Sequence, residues 1–71
     1  MKLGKYLSSL TKPELEELRE LLNLTDDEEM IFKELSKGRS KIFIADRCLI
    51  SASTVDRRIR DIVIKIDRLR G

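Results

Sequence analysis

Ser53, Asp56, Arg57 and Arg60 recur at short intervals within the segment STVDRRIR near the C-terminal end. At about 100° per residue a helix gathers them on one side, together with Ile64. A guanidinium can donate to guanine O6 and N7 together, and a carboxylate can accept from cytosine N4. These residue types on one face therefore suit the reading of base edges by hydrogen bonds. Other chemistries fit poorly. The chain has no His, and Cys48 is its single cysteine, so there is neither thiolate spacing for zinc nor a nucleophile with an imidazole base. No metal, cofactor or catalytic residue is expected, and an enzyme is not the favoured class.

The elements that must position these groups are legible around them. From Leu35 to Lys65 the sequence LSKGRSKIFIADRCLISASTVDRRIRDIVIK predicts two helices joined by a tight turn, the layout of a DNA-reading helix-turn-helix. Gly38 can close one helix and Ser40 can cap the next, whose inward face would be Ile44, Ala45 and Cys48. Leu49 and Ile50 form the turn, and Ser51 caps the last helix. There Val55, Ile59, Ile62, Ile66 and Leu69 recur in steps of four and three, with Val63 beside them, and predict a continuous buried stripe.

Upstream, Leu3, Tyr6, Leu7 and Leu10 have helical spacing over residues 3 to 10, weakened by Gly4 and by Ser8-Ser9. Thr11-Lys12-Pro13-Glu14 and Thr25-Asp26-Asp27-Glu28 each match a capping box, in which hydroxyl and carboxylate satisfy free backbone N–H groups at a helix start. The first box predicts a helix to about Asn23 that faces Leu15, Leu18 and Leu22 inward with Leu21 alongside. The second predicts a helix from Asp26 to Lys37, burying Met30 or Phe32 with Ile31 and Leu35. The expected fold is an all-α bundle of four to five helices, with the helix-turn-helix at residues 41–70.

At 71 residues the chain has room for one domain, and its 15 Lys/Arg against 13 Asp/Glu give a net charge of only +2. The distribution says more. Residues 1–34 carry five basic and nine acidic residues, and residues 35–71 carry ten and four. A basic half that holds the candidate reading helix suits a polyanionic partner, although ordinary solvated helix surface has the same composition. A lone cysteine fits a reducing compartment, and neither a membrane span nor a signal-peptide core is present in the sequence. A cytoplasmic protein with no membrane partner is expected.

The ordered series Leu24-Thr25, Glu28, Ile31, Phe32, Leu35, Gly38, Ser40, Ile44-Ala45, Ile50-Ser51, Thr54-Val55, Ile59, Ile62 and Ile66 resembles the LuxR/GerE-type helix-turn-helix of bacterial transcription regulators, which is closely similar to sigma factor region 4. The match runs without a gap over about residues 24 to 66. It implies a single DNA-binding domain over 1–71, with 1–23 as an N-terminal helical extension and 24–70 as the module itself. The resemblance implies that the helix after Ser51 enters the major groove and that Ser53, Asp56, Arg57 and Arg60 meet base edges. Lys37, Arg39, Ser40, Lys41, Thr54 and Arg58 become candidates for phosphate contact. Each has a plainer role as well. Ser40 is first a helix cap, Thr54 can pack the turn, and Arg58 can lie along the buried stripe. Lys37, Arg39 and Lys41 can be solvated charges.

Two departures from that family bear on function. The family often has a basic residue where Asp56 stands, which points to altered specificity or to an ion pair that orients Arg60 four residues on. Ile42 and Phe43 replace polar residues and call for a partner, which the N-terminal helices could supply within the chain or across a homodimer. Ile64, the ends of the last helix and the N-terminal leucines are candidate dimer contacts. The implied function is a bacterial or phage transcription regulator that binds double-stranded DNA, with RNA polymerase as a second contact. The alternative is a protein-interaction module that keeps the helix-turn-helix fold and binds RNA polymerase, a sigma factor or another regulator.

Overall fold

In the computed structural model, which describes residues 2–70, five helices follow one another: α1 (Leu3–Ser8), α2 (Lys12–Leu22), α3 (Asp26–Ser36), α4 (Lys41–Cys48) and α5 (Ala52–Leu69). The hydroxyls of Ser8 and Ser9 donate to the carbonyls of Lys5 and Tyr6. They take up acceptors that a longer helix would use, so α1 stops two residues short of the expected end. Both capping boxes form. Thr11 N–H donates to the Glu14 carboxylate at 2.9 Å and Thr25 N–H to that of Glu28 at 3.0 Å, with each hydroxyl accepting from the third N–H of its helix. Ser40 and Ser51 cap α4 and α5 in the simpler way, each accepting one N–H.

The helix ends are also local in origin. After α3, Gly38 takes the left-handed conformation (φ 81°). Its N–H donates to Leu35 and that of Arg39 to Glu34, the paired bonds by which a glycine reverses a chain. The same bonds close α4, from Leu49 to Asp46 and from Ile50 to Ala45, but here the left-handed residue is Leu49 at φ 58°.

α5 runs through the middle of the bundle, packing on α2, α3 and α4, while α1 packs on α3. Leu3, Leu7, Leu22, Ile31, Phe32, Leu35, Ile44, Ala45, Val55, Ile62 and Ile66 form one core. Tyr6, Leu10, Leu15, Leu18, Cys48, Ile50, Ile59 and Val63 are half-buried around it. The radius of gyration, 11.3 Å, equals the roughly 11 Å of a single body of this length, so residues 2–23 belong to that body. Leu3 and Leu7 fill its interior rather than waiting for a second chain.

Of Met30 and Phe32, it is Phe32 that takes the core position, and Met30 is exposed, because the buried face of α3 is centred on Ile31 and Leu35. Three expectations change. Leu21, 59% exposed, lies outside the Leu15, Leu18, Leu22 line by one step of the helix. Leu69, 47% exposed, lies beyond the last packed position of α5, Ile66. The N-terminal helices do not cover the start of α4. Ile42 stays 77% exposed, and Phe43 is faced by the guanidinium of Arg39 at 4.8 Å from the ring centre.

Candidate nucleic-acid interface

α4 and α5 are joined through residues 49–51. Ile50 reaches the edge of the core and Leu49 stands 91% exposed. Ser51 organises the start of α5. Its Oγ accepts from the Thr54 N–H at 3.2 Å and lies 2.9 Å from the Thr54 hydroxyl and 3.0 Å from that of Ser53. Thr54 is thereby held in the turn and is half-buried, which favours its packing role over phosphate contact.

Val55, Ile62 and Ile66 fix the rotation of α5 by burying one side. The opposite side then presents Ser53, Asp56, Arg57, Arg60 and Ile64 to solvent, so the four residues read as base-contacting do share one accessible face. Among the described residues no carboxylate lies within 4.0 Å of the Arg57 or Arg60 guanidinium. Asp56 differs from expectation. Its Oδ1 sits 2.7 Å from Nζ of Lys41 on α4 and makes no pair with Arg60. Neighbouring starts of two packed helices bring Lys41 nearer than one turn of α5 brings Arg60.

The candidate phosphate ligands divide. Lys37 is exposed and has no carboxylate within 4.0 Å among the described residues. Ser40 is the cap of α4. Arg39 stacks on Phe43 and lies 3.9 Å from the buried Glu34. Lys41 holds Asp56. Arg58 lies 3.9 Å from both Asp27 and Asp61, so its charge is largely answered within the chain and a phosphate would have to compete for it.

Two charged clusters lie outside the sequence reading. Glu28 is buried, and its Oε1 accepts from Lys65 Nζ on α5 as well as from Thr25 N–H. Burial pushes this carboxyl up, but the Lys65 and Thr25 hydrogen bonds outweigh that and hold it below its ordinary range. Glu34, also buried, has Arg39 at 3.9 Å and Arg47 at 3.7 Å. The signal for Glu34 was its place three residues after Ile31, at the edge of the inward face. For Lys65 the sequence held no local signal.

Fold and site together define a small all-α bundle whose last two helices form a helix-turn-helix with a polar, partly basic outer face. Comparisons with protein-family models, curated proteins and solved structures find no match to this chain.

Proposed function

We propose that this chain is a sequence-specific DNA-binding protein of bacterial or phage transcription-regulator type, working in the cytoplasm and reading the major groove with the first turns of α5. The observation that carries the reading is the pair Arg57 and Arg60, both exposed and, among the described residues, without a carboxylate within 4.0 Å, on the outer face of a helix whose inner face is locked in the core. Two guanidiniums on one rigid face can each bond a guanine edge bidentately. Ser53 and Asp56 flank them. Lys37 and the N–H groups at the start of α4 supply backbone contacts, with Arg39 beside them. A homodimer would double both base contacts and the salt-sensitive phosphate term, and RNA polymerase is a further partner for a regulator of this kind.

Selection from randomised duplex DNA at two salt concentrations tests the proposal. Enrichment of a defined motif supports it, a palindrome indicating a dimer and a single short site a monomer. Failure to retain any duplex at low salt overturns it. One observation favours a second reading, a protein-interaction module: Ile42 and Leu49 leave apolar surface at both ends of α4, where a polymerase or regulator surface could pack.

A further inference from the structure

α2 and α3 form a hairpin whose arms are tied near the connecting turn and open away from it. Arg19 makes the tie. Its guanidinium donates to Glu16 on its own helix and to Glu29 on α3, each at 2.8 Å. Beyond the tie lies a groove of about 610 Å³ with an apolar floor of Leu10, Leu15 and Phe32. That volume falls within the roughly 300–1,000 Å³ of small-molecule sites. Its far end, at the start of α2 and the end of α3, is lined by Lys12 and Lys37, and Lys33, one turn after Glu29, lines its middle. None of these three ammonium groups has a carboxylate within 4.0 Å among the described residues.

The polarity of this groove is one-sided. At the closed end, both carboxylates that border the groove are already bonded to Arg19, and that bonding holds Glu16 below its ordinary range. At the open end Lys12 and Lys37 have no carboxylate within 4.0 Å among the described residues, while the charge of Lys33, midway along, also helps to lower Glu16. We infer that the groove binds a small amphipathic anion, an alkyl monocarboxylate of medium chain length, with its chain on Leu10, Leu15 and Phe32 and its carboxylate among Lys12, Lys33 and Lys37. A bound peptide helix would need to run out of both ends, and the Arg19 bridge crosses one of them. This site lies apart from the outer face of α5 but shares Lys37 with the phosphate contacts proposed above, so it is read from the amide shifts and not from DNA binding.

The test is an amide chemical-shift titration of the full chain with sodium octanoate below its micelle concentration, with 1-octanol as the uncharged control. Octanoate should give saturable shifts at Leu10, Leu15, Ser36 and Lys37. The triple variant Lys12→Gln, Lys33→Gln, Lys37→Gln alters only exposed side chains and should keep the wild-type spectrum elsewhere. It should weaken octanoate binding about tenfold, the combined effect of three exposed charge contacts, and leave 1-octanol binding unchanged. Shifts that do not saturate, shifts centred on Ile42 and Leu49, or unaltered octanoate affinity in the triple variant would each overturn the inference. So would an acidic amphipathic peptide that shifts the same amides at lower concentration than octanoate.

Discussion

Lys41 Nζ and Asp56 Oδ1 lie 2.7 Å apart, joining the first residue of α4 to the second turn of α5 across the helix-turn-helix. Both side chains are half-exposed, so the pair contributes at most about 1 kcal/mol to folding. Its larger effect is on the outer face of α5, where it offsets a carboxylate that would repel phosphate. Lys41→Ala should therefore weaken binding on all sequences alike. Asp56→Asn, which leaves Lys41 free for phosphate, should strengthen binding to unrelated duplexes several-fold at low salt. Fluorescence anisotropy with specific and scrambled duplexes checks both, and tighter binding by Lys41→Ala would contradict the assigned role.

Arg57 is exposed and has no carboxylate within 4.0 Å among the described residues, so its removal should leave folding nearly unchanged. Arg57→Ala is expected to cost about 1–3 kcal/mol on the selected site and to relax the choice of base there. Binding measured against a set of single-base variants decides the matter. A loss of equal size on every sequence would make Arg57 a phosphate contact.

The Glu28 carboxyl is held below its ordinary value of 4.5 in the folded chain. A group with a depressed folded pKa adds stability above its unfolded pKa, and that stability is lost as pH falls through the folded value. Urea midpoints should accordingly drop as pH is lowered from 5 toward about 3. Glu14 and Glu16 are shifted in the same direction at the surface, so Glu28→Gln should reduce this pH dependence without abolishing it. Lys65→Met, which leaves the buried Glu28 carboxylate without its cation, should cost about 1–3 kcal/mol at neutral pH.

Leu49 occupies the left-handed region at φ 58°, where a β-carbon meets the following carbonyl at a cost of roughly 1–2 kcal/mol. Its side chain is almost wholly solvated, so little packing is lost on removing it. After the added freedom of glycine in the unfolded chain is deducted, Leu49→Gly should stabilise the fold by about 0.5–1 kcal/mol. Such a gain raises the melting temperature by roughly 2–8 °C in a domain of this size. Thermal unfolding by circular dichroism measures it.

What was legible in the sequence was what neighbouring residues decide. Thr11 with Glu14, Thr25 with Glu28, and the serines at positions 40 and 51 start four helices through bonds that span three residues. The period of Val55, Ile59, Ile62 and Ile66 set the rotation of α5, and with it the exposure of Ser53, Asp56, Arg57 and Arg60. Leu21 and Leu69 were misplaced because periodicity ranks faces but does not say how wide a neighbour is or where it ends. The partners of Asp56, Glu28 and Glu34 lie on other helices, and so do the two walls of the groove. Those depend on how the arms of the bundle meet, which no local pattern encodes.

The core draws on Leu3 at one end of the described chain and on Ile66 near the other. α1 packs on α3, but α5 is the surface against which α2, α3 and α4 all pack, so an N-terminal portion without α5 leaves those three faces uncovered. During synthesis the faces of α2, α3 and α4 that meet α5 therefore stay open to solvent until the chain as far as Ile66 has left the ribosome.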